Sequence, residues 1–205
     1  MPKGLLLISG GIDSPVAGKM AVQNGTELLA VHFPTEKITG KESIQKCFLL
    51  SKKIGVKKLF VCDLSGQFGE ISKKCDHKKY FVLTKRLMLR IAQKIAKENK
   101  ADFLVTGENL GQVSSQTLSN LAVIDKAVEM PVIRPLLCLE KVQIVEFARK
   151  IGTLEASLGK EICDALGPKH PATKTEIPDI LEEEKKIEME KLIAGALEGL
   201  QVHHP

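Results

Sequence analysis

Tryptophan is absent and tyrosine occurs once, so a 205-residue chain with 4% aromatics has little material for the base-stacking platforms that hold single-stranded nucleic acid. The five cysteines are an odd number in a chain of this size, which argues against a structural disulfide framework. No stretch approaches the roughly 18 consecutive apolar residues of a membrane span. The opening MPKGLLLIS is also too short an apolar run for a signal peptide, so a cytoplasmic protein with no membrane partner is expected. Charge of one sign is scarce too: 30 Lys and Arg stand against 25 Asp and Glu, and the net +5 permits an anionic partner without demanding one. What is present is ordinary globular material, 43% hydrophobic and 27% charged, which excludes wholesale disorder. The length suits one domain with a well-buried core.

Leu5 to Ser9 is a short apolar run bounded by glycines, the pattern of a strand buried on both faces. Residues 15–24 read as a helix, Glu27 to Phe33 as a strand, Lys41 to Ile54 as a helix and Lys57 to Asp63 as a strand. This βαβαβ order predicts an α/β fold with a doubly wound parallel sheet. Leu64 to Lys79, with Gly66, Gly69 and a Lys/Cys/Asp/His cluster, reads as a long functional loop. Tyr80 to Lys97 carries apolar residues at 83, 87, 91 and 95 with Lys85, Arg86, Arg90 and Lys94 between them, at helical spacing. A strand over Asp102 to Thr106 follows, then a Gly/Ser/Gln-rich stretch to Thr117, a strand over Met130 to Pro135 and a helix over Glu140 to Lys150. A Pro-rich connection leads to one charged helix over Pro178 to Leu200. Residues 1–175 are expected to form the catalytic domain, and 176–205 a helical extension of it.

Ser9-Gly10-Gly11-Ile12-Asp13-Ser14 lies between the first strand and first helix, where an open α/β sheet places its ligand crevice. Two glycines let the backbone approach an anion, Ser9 and Ser14 can donate to phosphate oxygens, and the helix N-terminus adds free N–H groups. Asp13 would be repelled by phosphate alone, which predicts Mg²⁺ held between its carboxylate and pyrophosphate. The hexapeptide matches the S-G-G-x-D-S loop of the PP-loop ATP pyrophosphatases, which cleave ATP between the α and β phosphates. His32 and Phe33 end the second strand on the same edge and are candidate adenine contacts. A simple Ser-capped turn leaves the double glycine and the acid unexplained.

Thr106-Gly107-Glu108-Asn109-Leu110-Gly111-Gln112-Val113-Ser114-Ser115-Gln116-Thr117 is too polar to be a packing element, and it follows a strand. It resembles the T-G-E-x-L-G-Q-V-x-S-Q-T signature of ThiI-type tRNA 4-thiouridine synthetases. Leu87-Met88-Leu89-Arg90-Ile91-Ala92, Arg134-Pro135-Leu136, Ile151-Gly152-Thr153 and Cys163 agree in order, so the resemblance covers roughly residues 4–175. It implies the PP-loop (adenine nucleotide alpha-hydrolase-like) fold, adenylation of a carbonyl oxygen such as uridine O4 of tRNA, and replacement of AMP by persulfide-derived sulfur, with a link to thiamine thiazole synthesis. Gly107 and Gln112 join the Ser9 to Ser14 loop as expected ATP contacts. Gln116, Lys85, Arg86, Arg90 and Arg134 are the candidate substrate or RNA contacts.

Family members carry a ferredoxin-like segment and a THUMP domain ahead of this domain, and many add a rhodanese domain. Neither is in these residues, so the expected partners are tRNA or a small sulfur acceptor, a sulfur donor such as a cysteine desulfurase or sulfide, and a separate THUMP-domain protein; a homodimer stays open. Cys75, flanked by Lys73, Lys74, Lys78, Lys79 and His77, is expected to be partly thiolate. Cys75 and Cys163 are therefore the candidate persulfide and resolving pair, beside Asp13 as catalytic residues. An iron–sulfur cluster or zinc site at Cys75, His77 and Cys163 is a weaker alternative, and unreactive thiols are another. Cys47, Cys62 and Cys138 read as core fillers. Two other functions stay in view: a PP-loop amide ligase, and a non-catalytic nucleotide-binding partner of a THUMP protein.

Overall fold

In the first strand, β1 (Lys3–Leu7), Leu5 and Leu7 face one side of the sheet and Leu6 the other, because successive strand residues point to opposite faces. Both faces are covered, as a continuous apolar run requires. The computed structural model describes residues 1–34, 42–111, 116–158 and 166–205.

The remaining elements, in order, are α1 (Asp13–Gln23), β2 (Glu27–His32), α2 (Glu42–Ile54), β3 (Leu59–Val61), α3 (Ser65–Lys74), a 3₁₀ turn (His77–Lys79) and α4 (Tyr80–Glu98). Then come β4 (Phe103–Val105), α5 (Leu118–Asp125), β5 (Val132–Ile133), α6 (Lys141–Lys150), α7 (Leu154–Ser157), α8 (Ile177–Glu184), α9 (Met189–Glu198) and β6 (Gln201–His203). The sheet order is β5-β4-β1-β2-β3-β6. The first five strands are parallel, with Leu5 opposite Leu29 on β2 and Leu104 on β4, and β6 runs antiparallel to β3. Helices α1, α2 and α6 pack on the Leu6 face through Val16, Leu50 and Ile144. On the Leu5 face, α3, α4, α5, α8 and α9 pack through Ile71, Leu83, Ile124, Ile180 and Ile193. The doubly wound parallel sheet is thus the observed fold.

Three expectations differ. Leu64 to Lys79 is mostly the helix α3 and a 3₁₀ turn rather than a loop. Phe68 and Ile71 recur three residues apart and are buried, so the tertiary packing of that face outweighs Gly66 and Gly69. The single C-terminal helix is two, α8 and α9, and both join the Leu5-face core. Residues 201–203 add an edge strand that a three-residue run could not announce.

Chain order places β2 and β3 on one side of β1, and β4 and β5 on the other. The crossover direction reverses between β1 and β4, which opens a crevice at the carboxyl ends of those two strands.

Candidate active site

A cavity of about 310 Å³ lies at that reversal. Leu7, Ser9, Asp13 and Ser14 reach it from the β1 end, Thr106, Gly107 and Glu108 from the β4 end, Lys85, Met88 and Leu89 from α4, and Gln116 and Ile124 from the following segment. Apolar side chains and a few polar groups line it together, the usual build of a small-molecule site.

The Ser9 to Ser14 loop is closed by its own serines. The Ser9 backbone N–H donates to Ser14 Oγ at 2.8 Å, the two hydroxyl oxygens lie 3.1 Å apart, and the Gly11 N–H donates to Ser9 Oγ at 3.3 Å. Helix α1 begins at Asp13, two residues earlier than the sequence suggests. Its N-cap residue Ile12 makes no side-chain cap, so the first-turn N–H groups are not occupied by a capping side chain.

Asp13 is bridged by Lys141 from the start of α6, with Nζ 2.6 Å from Oδ1. A lysine in the first turn of a helix opposes the helix dipole, and its contact with Asp13 accounts for it. Among the described residues no three His, Cys, Asp or Glu side chains gather into a metal site. A single carboxylate lining the cavity beside the phosphate loop fits a Mg²⁺ held jointly with a nucleotide's phosphates rather than by the protein alone.

Gly107 presses on the loop so closely that a Cβ there would lie 2.6 Å from the Ser14 nitrogen. Beside it, Glu108 is 9% exposed and meets Lys85, the Thr106 hydroxyl at 3.1 Å and Arg134 Nε at 2.8 Å. Burial works to raise its pKa, but the two cations and their hydrogen bonds hold the carboxyl down to about 2. Glu108 is therefore a fixed anion that orders the cavity wall and Lys85, and not a proton donor near neutral pH. Arg134 also grips Asp125 at 2.6 and 3.0 Å.

Several expected contacts land elsewhere. His32 is 6% exposed, with Nδ1 3.0 Å from the Ile8 carbonyl and Nε2 3.3 Å from Ser43 Oγ, so both ring nitrogens are engaged inside the protein. Burial pushes its pKa down to about 4, and the neutral ring is the form present. Phe33 packs against the Leu5-face core. Gln116 lines the cavity while its side-chain oxygen accepts from the Asn109 N–H at 3.1 Å. Arg86, expected at the substrate surface, is 1% exposed and clamps Glu184 of α8 at 2.7 Å; Arg90 meets the same carboxylate at 2.7 and 2.9 Å. Their partner lies in a helix almost a hundred residues away, which spacing along α4 could not reveal.

The surroundings of Cys75 argue against the expected thiolate. Burial, with Glu183 next, pushes its pKa up to about 11, and the nearby Lys186 does not offset them. The thiol lies 3.6 Å from the Glu183 carbonyl and is not among the cavity-lining residues. Two of the four sequence-adjacent lysines are drawn off, Lys74 to Glu70 and Lys79 to Glu183. Cys47 and Cys62 are buried as expected, but Cys138 is exposed. Gln112 and Cys163 lie outside the described residues.

Three polar groups beside the loop were missed: Lys46, Ser157 and Lys141. Only Lys141, a cation at a helix start, carried a sequence signal.

The sequence matches the family described as Thiamine biosynthesis protein (ThiI) over residues 1–189. Among its relatives, a probable tRNA sulfurtransferase from Alkaliphilus oremlandii is 41% identical over 98% of this chain and 53% of its own length. One from Moorella thermoacetica matches at the same identity and coverage. The chain thus spans about half the length of the curated relatives it matches. A 4-thiouridine synthetase solved with RNA and bound ATP superposes with a TM-score of 0.94 at 36% identity, over 98% of this chain and 55% of that one. NMN synthetase from Francisella tularensis, with a TM-score of 0.59 at 16% identity over 98% of this chain and 79% of that one, shares the fold alone. With the S-G-G-x-D-S loop at the sheet's reversal point and the T-G-E segment packed against it, the chain belongs to the ThiI family.

Proposed function

We propose that this chain is the ATP-using catalytic part of a cytoplasmic tRNA sulfurtransferase, which adenylates a uridine O4 and replaces AMP with sulfur. The observation that carries the reading is the apposition of Gly107 on Ser14, which joins the phosphate loop and the T-G-E segment into one cavity wall beside Asp13. The ATP and RNA bound by the related 4-thiouridine synthetase support it.

In this reading the Ser9 to Ser14 loop holds the phosphates, and Asp13 would help to hold a Mg²⁺ that would neutralise charge on the departing pyrophosphate. Lys85, held by Glu108, presents a fixed positive charge to the cavity, where an attacking carbonyl oxygen and the α-phosphate would meet. Leu7, Met88, Leu89 and Ile124 give the cavity apolar lining, which would reduce water around the reacting atoms once a nucleotide fills it. Sulfur arrives from a separate donor. Cys75 and Cys163 remain the proposed carriers, and the protonated Cys75 thiol makes a change in its surroundings part of that proposal.

ATP–pyrophosphate exchange, measured with and without unmodified tRNA, tests the reading. Exchange that depends on tRNA supports it, and its absence with intact relatives active under the same conditions removes it.

A further inference from the structure

The cavity side of the phosphate loop is accounted for by Ser9, Asp13, Ser14 and Lys85; its other side is not. There Gly10 meets Lys46 of α2. A Cβ built on Gly10 would lie 3.0 Å from Lys46 Cδ, 3.6 Å from Cε and 3.7 Å from Nζ, so the lysine stem runs along the loop and its ammonium ends beside the Gly10 backbone. Lys46 Nζ donates to the Ser157 carbonyl at 2.8 Å, and Ser157 Oγ donates to the Gly11 carbonyl at 3.3 Å. Ser157 is 3% exposed, so the loop, α2 and α7 are tied at one buried point.

The described partner of the Lys46 ammonium is a neutral carbonyl. An ammonium has three donors and one such bond leaves others for an incoming group. The geometry differs from that of Lys141, which is paired with the Asp13 carboxylate.

We infer that Lys46 is a further binding residue for the pyrophosphate end of the nucleotide. This rests on the proposed cleavage of ATP between its α and β phosphates. The α-phosphate must lie where an acceptor in the cavity can reach it, on the side of Ser9, Asp13 and Ser14. Lys46 does not line that cavity, so the phosphates that extend past the loop glycines are the ones its ammonium meets. A leaving pyrophosphate gains negative charge as the Pα–O bond breaks, and a point cation beside it stabilises that charge. A side chain at Gly10 would meet the lysine stem and shift it from the loop.

The test is equilibrium binding of ATP, AMP and inorganic pyrophosphate, with Mg²⁺, to the full chain and to Lys46→Met and Lys46→Gln. Methionine keeps the stem, whereas glutamine also keeps a donor for the Ser157 carbonyl without the charge. Both variants are expected to bind ATP and pyrophosphate at least tenfold more weakly and AMP within twofold of wild type. A lysine that merely staples α2 to α7 would give a near-normal Lys46→Gln, or an equal loss for all three ligands, and either result overturns the inference. Wild-type chain that binds none of the three ligands would overturn the proposed function along with it, whereas normal wild-type binding with unaffected variants removes Lys46 alone.

Discussion

Gly107 sits so tightly over Ser14 that an added Cβ would be 2.6 Å from its nitrogen, 2.7 Å from its Cα and 2.8 Å from the Asp13 carbonyl carbon. All three are backbone atoms at the start of α1, so no flexible side chain can swing aside. Gly107→Ala must therefore lift the β4 loop or push the phosphate loop. We expect it to lower stability by about 1–3 kcal/mol, as overpacking does, and to weaken ATP binding at least tenfold. Near-normal ATP affinity in a folded Gly107→Ala protein would show that the two loops act independently.

Asp13 and Lys141 are both partly exposed, and such pairs contribute about 0–1 kcal/mol to stability. Their removal should therefore separate function from folding. Asp13→Ala and Lys141→Met are each expected to keep a melting temperature close to that of wild type, while pyrophosphate release falls at least tenfold for Lys141→Met and to background for Asp13→Ala. Normal turnover in Asp13→Ala would remove the assignment of the Mg²⁺-binding carboxylate.

His32 gives stability a pH dependence. Its folded pKa of about 4 lies below the ordinary value of 6.5, so the unfolded chain binds the extra proton between those values. Its contribution is full above pH 6.5 and is lost as pH falls toward 4, reaching about 3 kcal/mol at most. Urea unfolding at pH 7.5 and 5.0 should show this decline in wild type and a flatter profile in His32→Asn. Equal slopes would mean that the ring titrates normally. Glu108 adds a separate decline at lower pH, between its ordinary 4.5 and its folded value of about 2, because a depressed carboxyl loses its contribution only as it protonates.

Arg86 carries the clearest contrast between what a sequence and a fold say about a cation. On α4 it stands in line with Lys85 and Arg90, but it is buried against Glu184 and the Val123 carbonyl. Breaking a buried ion pair by removing one partner costs about 3–5 kcal/mol when the other is left alone. Arg90 still reaches the Glu184 carboxylate at 2.7 and 2.9 Å, so the loss at Arg86 lies toward the lower end of that range. Arg86→Leu should lower the urea midpoint sharply. Lys85→Met, at the cavity, should lower it much less and act on turnover instead. The reverse order would return Arg86 to the functional surface.

The alternation and short connections of residues 3–61 made the parallel sheet legible, because both periodicity and glycine placement are local. The phosphate loop was legible for the same reason: its chemistry is written in six consecutive residues. Lys46, Ser157 and Lys141 were not, since each becomes functional only when α2, α7 or α6 folds back on that loop. The charge on Cys75 failed in the opposite direction. Its lysine neighbours in sequence are visible, whereas the acidic α8 that faces it is more than a hundred residues away.

That reversal yields a direct test on Cys75. A thiol reacts with an alkylating agent as its thiolate, so a pKa near 11 leaves only a minute reactive fraction at neutral pH. Burial is the larger cause and the Glu183 carboxylate the next, with Lys186 acting against them. Cys138 is exposed in the same chain and serves as an internal reference. In peptide-resolved iodoacetamide labelling at pH 7.5, Cys75 should react at least tenfold more slowly than Cys138, and its rate should rise steeply between about pH 9 and 11. Glu183→Gln removes the repelling charge while keeping a side chain of the same shape, and should speed Cys75 labelling without altering that of Cys138. Rapid labelling of wild-type Cys75 at pH 7.5 would instead place the thiolate back among the lysines. If Cys75 is slow alone and becomes fast when ATP is added, the bound nucleotide changes the surroundings of α3 and α8, and the sulfur-carrying role gains its trigger. If it stays slow with ATP, RNA and a sulfur donor all present, Cys75 is a packing thiol and the carrier must be sought elsewhere.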